Sequence, residues 1–493
     1  MKNKKNICVI GSGFSGISAA TYLSELGHNV FVLEKNSIHG GRARKFTSKG
    51  YTFDMGPSWY WMPDVFEKYF KDFDKDINDY FKLKRLDPSY RVYFSEDQII
   101  DIPSNYESLK ELFESLEEGS GEKLDLFLKQ AEKKYKIGIN NLVYKPAISI
   151  TEFMNYETLS GILKLDIFKS IHSHIRKFFK NEKKIKILEF PILFLGATPK
   201  NTPALYSLMN FADIKLGTWY PEGGMYKIIE SMLSLAKEKG VKFYSNEEVK
   251  KFSYSNKSVS CVITNKKTYD VDYVICSADY QHIDQKIVEK KFRSYNKSYW
   301  EKRVLAPSSL LFYVGLDKKI KNVNHHCLFF DKDFDNHAEE IYTTPRWPSE
   351  PLFYATFPSK TDASIAPKNH ETMVLLIPIA PDLEDNRIIR NKYFDLILSR
   401  LEKLTKQKIK DHIVYKRSYA IRDFKNDYNS FKGNTYGLAN TLLQTAILKP
   451  SIKSKKLNNL YFCGQLTVPG PGVPPSLISG NVVADQIKKQ IKD

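Results

Sequence analysis

The strongest constraint on what this chain can fold into lies in its first forty residues. Ile7-Cys8-Val9-Ile10 is a short apolar run of the kind a buried parallel strand requires. Gly11-Ser12-Gly13-Phe14-Ser15-Gly16 follows at once and fits G-x-G-x-x-G. A helical pattern from Ile17 to Leu26 then ends at Gly27, a residue suited to stopping a helix. Val30-Phe31-Val32-Leu33 reads as a second strand, with Glu34 and Lys35 at its carboxyl end. In such a βαβ unit Gly11 permits the tight turn and Gly13 lets a pyrophosphate approach the backbone. Gly16 allows helix and strand to pack closely. Phe14 and Ser15 open the helix, whose first N–H groups face the anion. A carboxylate at Glu34 accepts hydrogen bonds from ribose and disfavours a 2′-phosphate, so FAD or NAD fits better than NADP. A glycine motif alone is a weak signal, and it is the whole strand–turn–helix–strand–acid series that predicts a dinucleotide site.

Two further blocks favour FAD. His39-Gly40-Gly41-Arg42-Ala43-Arg44 precedes Phe53-Asp54-Met55-Gly56-Pro57-Ser58. The paired glycines and Arg42 resemble the second flavin motif of the FAD-dependent amine oxidase and desaturase superfamily, where the arginine neutralises pyrophosphate charge. Near the C-terminus, the strand Leu460-Tyr461-Phe462-Cys463 leads into Gly464-Gln465. A Pro/Gly turn, Pro469 to Pro475, and a helix from about Ser476 follow. Gly464, Gln465 and Val473 therefore join the expected cofactor shell. No second G-x-G-x-x-G stands between a strand and a helix, so no separate nicotinamide domain is expected. Oxygen or a quinone is the expected electron acceptor.

Composition narrows the class. With 42% hydrophobic residues, the 493-residue chain has material for two or three cores, which excludes disorder as its main state. No apolar stretch approaches the ~18–20 residues of a membrane span. The five cysteines are odd in number and scattered, without a CxxC pair. They predict neither a disulfide framework nor a zinc site, and no metal is expected. A reducing, cytoplasmic setting is the simpler expectation. The net charge of +18 admits a nucleic acid, an anionic membrane or a lysine-rich background. The basic residues match no nucleic-acid reading module, which removes the first option.

The chain resembles the bacterial-type phytoene desaturases of carotenoid biosynthesis nearly end to end. The likeness is carried by the N-terminal flavin region and Phe194-Leu195-Gly196-Ala197-Thr198-Pro199, then by Gly217-Thr218-Trp219-Tyr220-Pro221-Glu222-Gly223-Gly224-Met225, His325-His326, and Leu460 to Pro475. One departure stands in the last block, where the family's usual His is Val468. The resemblance implies that FAD takes a hydride from an allylic carbon of a linear C40 polyene, converting phytoene towards lycopene. It also implies that Val249 meets the adenine through its backbone. It names no catalytic base. Asp54, His39, Glu222 and the His325-His326 pair are candidates, each with a structural role as the simpler reading. A carotene isomerase or a desaturase of another carotenoid is the alternative within the class. A non-catalytic prenyl-lipid binder of the Rab GDP-dissociation-inhibitor type is the alternative outside it.

The expected fold is α/β: a Rossmann-like FAD-binding domain built from discontinuous segments, an α+β substrate domain and a helical membrane-facing subdomain. The FAD-binding segments are expected at 1–75, 216–290 and 416–493. The substrate domain takes 76–130 and 291–415, and the helical subdomain 131–215. Within the last, 161–188 carries Phe168, Ile171, Ile175, Phe178 and Phe179 at helical spacing, with eight basic residues against two acidic. A basic amphipathic helix of this kind suits an anionic membrane interface, although the same stripe suits packing on the protein's own core. A substrate that exists only in lipid favours the first reading, and the protein is expected to be peripherally membrane-associated.

Overall fold

The N-terminal apolar run is the middle strand of a five-stranded, wholly parallel sheet. In this computed structural model, which describes residues 4–153, 169–193 and 196–492, Asn6–Ile10 lies between Tyr273–Cys276 and Asn29–Leu33. Leu460–Phe462 and Lys242–Tyr244 form the two edges. Ile7, Cys8 and Val9 have no exposed surface, because both faces of the sheet are covered; that is why the run is continuous rather than alternating. The helix Phe14–Glu25 follows, and Gly27, at φ +88°, turns the chain back into the second strand.

A seam between two helices locks the ends of the chain together. Phe14–Glu25 packs on the C-terminal helix Val473–Lys492. At the crossing, a Cβ on Gly480 would stand 2.3 Å from the Ser15 carbonyl oxygen and 2.7 Å from Ser18 Cβ. Ser18 Oγ donates to the Leu477 carbonyl at 2.8 Å. Only a glycine lets the backbones approach this closely. Pro474 and Pro475 sit in the first turn of the C-terminal helix, where a missing N–H breaks no helical hydrogen bond.

A second, seven-stranded sheet has the order Ile413–Tyr419, Ser308–Leu316, Glu371–Ile379, Phe353–Thr356, His326–Phe329, Tyr90–Tyr93, Ile99–Ile102. Only the pair His326–Phe329 and Tyr90–Tyr93 is parallel. Strand periodicity divides its side chains between two layers. Leu310, Phe312 and Val314 pack with Phe394, Ile397 and Leu401 of the helix Arg387–Thr405. Leu311, Tyr313, Tyr354 and Leu376 point the other way, into the core shared with the first helix. The chain thus has an α/β architecture in which one face of the mostly antiparallel sheet shares a core with the helix that follows the first strand.

The basic stretch differs from the expected interfacial helix. Residues 161–168, including Phe168, lie outside the described residues. The rest forms two helices, Ile171–Ile175 and Glu182–Leu193, rather than one. Asn181 Oδ1 accepts from Lys183 N at 3.0 Å and starts the second helix. Ile171, Ile175 and Phe179 are fully buried in the protein's own core, and Phe178 packs edge-on against Phe127. Even Lys184 is inaccessible; its Nζ pairs with Glu117 Oε2 at 3.1 Å and donates to the Phe113 carbonyl. Among the described residues of this stretch, the apolar stripe is used internally and no apolar face is left for lipid.

Candidate active site

The glycine turn has the geometry its spacing requires. Gly11 adopts φ +96°, a Cβ on Gly16 would lie 2.1 Å from the Gly11 carbonyl oxygen, and Ile17 N donates to the Gly13 carbonyl. Gly13 is different: a Cβ there would meet nothing within 4 Å. Gly41 approaches the same residue from another side, where its own Cβ would come 3.3 Å from Gly13 Cα. Gly40 N donates to the Ser12 carbonyl at 2.9 Å, which ties the second glycine block to the first. Ser15 Oγ and Ser277 Oγ share a 2.7 Å hydrogen bond, and Gly464 packs against Ser15 Oγ. Three segments distant in sequence therefore line one cleft at the carboxyl end of the middle strand, the position where open parallel sheets bind ligands.

Arg42 supplies the charge. Its Nη2 donates to Ser430 Oγ at 3.1 Å, and the Gln465 amide lies 3.1 Å from Nη2 and from the Thr435 carbonyl. Its Nε is withdrawn from solvent with no hydrogen-bond partner among the described residues. Burial lowers its pKa, with Asp279 opposing that effect. Arg44, two residues on, is instead neutralised by Asp427 at 2.7 Å. Among the described residues Arg42 has no carboxylate at ion-pair distance. A buried guanidinium left in this state is suited to a pyrophosphate.

Glu34 is buried at the end of its strand. Its Oε2 accepts from Ser12 N and Oγ at 3.0 and 2.9 Å, and its Oε1 from Asn36 N and Nδ2, both at 2.9 Å. A ribose hydroxyl would take over one of the two side-chain donors. Glu247 N donates to the Glu34 carbonyl, which brings Val249, the first residue of the strand Val249–Ser255, to the same end of the cleft. Lys35, expected in the cofactor shell, donates from its Nζ to the Asn426 carbonyl at 2.7 Å. Towards the second sheet, Gly56 packs on the Arg42 carbonyl, and Tyr313 OH donates to the Met55 carbonyl. Pro57 follows in the same turn, and Ser58 Oγ accepts from Tyr354 OH at 3.0 Å. Val473 begins the C-terminal helix. The sequence reading missed Ser277, Ser430, Thr435 and Tyr354, which belong to no local motif and reach the cleft only through tertiary contacts.

Two cavities lie towards the second sheet. One is lined by Asp54, Gly56, Ser58, Tyr220, His325 and Leu311 among others. The other is almost wholly apolar, with Phe190, Phe330, Phe334, Ile341 and Phe353 on its walls. Tyr354 and Leu376 line both and form the partition between them. The candidate bases have structural partners. Asp54 accepts from Met225 N and Tyr226 N at 2.8 and 2.9 Å, capping the helix Tyr226–Glu238. His39 Nδ1 bonds Ser12 Oγ, and Glu222 is exposed. His325 Nδ1 bonds Thr361 Oγ1 at 2.6 Å, and His326 Nδ1 bonds Tyr354 OH at 2.7 Å while its ring stacks on Trp59. Burial lowers both histidine pKa values, that of His325 to about 3, so both rings are neutral at physiological pH. Among the described residues no group of His, Cys, Asp or Glu is arranged to hold a metal.

Comparison with known proteins decides the family. Residues 14–488 match the flavin containing amine oxidoreductases. The carotenoid 3,4-desaturase of Haloarcula japonica is 36% identical over 488 residues, 99% of each chain. The 4,4′-diapophytoene desaturase (4,4′-diaponeurosporene-forming) of Staphylococcus haemolyticus is 31% identical, again over 99% of both. The zeta-carotene-forming phytoene desaturase of Myxococcus xanthus is 29% identical over 98% of this chain and 94% of its own. The chain belongs to the carotenoid desaturase family. Among solved structures, an oxidoreductase from Methanosarcina mazei superposes with a TM-score of 0.64 at 16% identity, covering 97% of this chain and all of its own; that likeness shows the fold alone. This carotenoid desaturase homologue is an FAD-dependent oxidoreductase, and the open space at Gly13 and the uncompensated Arg42 fit that cofactor.

Two outcomes follow from this geometry. Because a side chain at Gly13 meets no protein atom, Gly13→Val should fold normally yet purify without FAD. Far-ultraviolet circular dichroism together with flavin absorbance checks this, and normal flavin content would remove the phosphate from this turn. Burial also pushes the Asp54 pKa up to about 6, against the lowering effect of the two N–H groups it caps. The folded state therefore holds this proton more tightly than the unfolded state, whose value is near 3.8. The stability contributed by Asp54 is full below that lower value and declines as pH rises through about 6. Urea midpoints of wild type minus Asp54→Asn should fall between pH 4 and 7 and be flat above pH 7.

Proposed function

We propose that the protein introduces double bonds into phytoene, towards lycopene. The observation that carries this reading is the pair of cavities meeting at Tyr354 and Leu376, beside Ser58. A linear hydrocarbon offers no hydrogen-bonding handle, so shape and apolar lining must hold it. The apolar cavity supplies that lining, with Phe330, Phe334 and Phe353 on its walls. FAD, when bound, supplies an acceptor for the hydride that leaves an allylic carbon. The chain's own residues position the polyene, exclude water and stabilise the cation left on it until loss of a proton from the neighbouring carbon completes the double bond. The aromatic walls favour a delocalised cation, and the neutral His325 and His326 place no opposing charge beside it. In this proposal Gly11 to Gly16, Gly41 and Arg42 hold the pyrophosphate, and Glu34 and Val249 hold the adenosine. Gly56 to Ser58, Gly464, Gln465 and Val473 surround the ring end, and oxygen or a quinone reoxidises it.

A second reading, desaturation of a different carotenoid, is favoured by the higher identity to the protein named a carotenoid 3,4-desaturase than to the phytoene desaturase. Cells making phytoene, with and without this gene, separate the two. Loss of phytoene with appearance of more conjugated pigments on HPLC is the expected result. Unchanged phytoene, with conversion of a later carotenoid supplied instead, would establish the second.

The proposed membrane contact moves from 161–188 to another surface. Leu443 is 77% exposed, and Ile447, Leu448 and Val304 are also exposed. Val304 N donates to Gln444 Oε1, so the two segments are neighbours, and the exposed Lys302 stands beside them. An apolar patch with a basic rim suits the headgroup boundary of a bilayer. Among the described residues no helix is long and apolar enough to cross one. Leu443→Asp combined with Ile447→Asp should reduce co-sedimentation with anionic liposomes several-fold, and equal sedimentation would discard this patch.

A further inference from the structure

Lys449 follows the short turn Ala446–Leu448 at a depth where a lysine is rare, with 5% of its surface exposed. Its Nζ has one hydrogen-bond partner among the described residues, the buried Asn440 Oδ1 at 3.1 Å, and no carboxylate at ion-pair distance. Both groups press on one point of the C-terminal turn. A Cβ on Gly470 would lie 3.1 Å from Lys449 Nζ and 3.2 Å from Asn440 Oδ1. Gly470 and Gly472 have φ +140° and +114°, and the turn runs into the N-terminus of the 20-residue helix Val473–Lys492. Burial without a counter-charge lowers the Lys449 pKa to about 8, which leaves the ammonium mostly protonated at neutral pH.

A methionine of similar length would fill this space without the desolvation cost of an ammonium. The helix N-terminus adds partial positive charge at the same turn. Two sources of positive potential on one turn, with no facing carboxylate among the described residues, match a group that becomes negative there. A flavin ring that has taken up two electrons and one proton as a hydride carries one more negative charge than the oxidised ring.

We propose that Lys449 is a positioning residue that raises the reduction potential of the bound flavin, acting across the Gly470–Gly472 turn. The inference rests on placing the ring at Gly470 to Val473. Sulfite reports on this without any carotenoid, because its addition to oxidised flavin also leaves the ring negative. In the FAD-loaded full-length protein, Lys449→Met should bind sulfite at least ten-fold more weakly, and its two-electron potential should fall by about 30 mV for each ten-fold. Lys449→Arg should stay near wild type, and Asn440→Ala, which keeps the charge, should change sulfite affinity far less than Lys449→Met. Unchanged sulfite affinity in Lys449→Met overturns the proposal, as does an equal loss in Asn440→Ala, which would make the pair a clamp on the turn. Should Lys449→Met fold but lose FAD, retention of FAD by Lys449→Arg counts for the charge, and loss in both counts against it. A wild-type protein that retains FAD but resists sulfite and shows no change on Gly472→Val refutes the ring placement instead.

Discussion

Backbone-to-backbone contact at the carboxyl end of the first strand is the constraint on which the rest depends. Gly16 lies against the Gly11 carbonyl, Gly41 against Gly13, and Gly480 against the Ser15 carbonyl. A Cβ at Gly16 or Gly480 would collide with main-chain atoms, and one at Gly41 would meet a close approach together with a φ of +56°, so the three segments are held at a separation set by main-chain atoms. The Ser18–Leu477 hydrogen bond joins positions 459 residues apart. The cleft is thus closed only when the last helix docks on the first. Cofactor binding and assembly of the parallel sheet are therefore expressions of the same packing.

The distribution of buried charge separates supporting from functional groups. Glu371 has no exposed side-chain surface, yet Lys319, Lys360 and Ser359 surround it. Arg44 has Asp427, and Lys184 has Glu117. These are closed ion pairs, which hold elements in register and have no capacity left for a ligand. Arg42, at the glycine cleft, and Lys449, against Gly470, differ in having no carboxylate at ion-pair distance among the described residues. The histidine pair, by contrast, is neutral and hydrogen-bonded at Nδ1, so His325 adds no charge to the cavity it lines.

The carboxylates and the basic stretch show how the same residue types admit two uses until their neighbours are known. Asp54 stands in a flavin-like block and reads as a candidate base, but its oxygens are directed at the amides of Met225 and Tyr226. It thereby fastens the second FAD-like segment to the first. The stripe Ile171, Ile175, Phe179 has the periodicity of an interfacial helix. Periodicity measures only that one side is apolar, and here the matching apolar surface is Phe113 and Phe127 of the protein itself.

The sequence by itself determined the glycine turns, the strand–helix–strand unit, the C-terminal Pro/Gly block and hence the flavin-dependent family. These depend on local backbone freedom, which residue types encode directly. Tertiary structure decided what distant contacts alone can set. Lys35 reaches the Asn426 carbonyl, Ser430 accepts from Arg42, the Thr435 carbonyl stands against Gln465, and Tyr354 lines two cavities. It also decided the partners of two buried lysines, Glu117 for Lys184 and the Asn440 amide oxygen for Lys449. Side-chain partners separated by hundreds of residues leave no spacing in a sequence, because only folding brings them within hydrogen-bond reach.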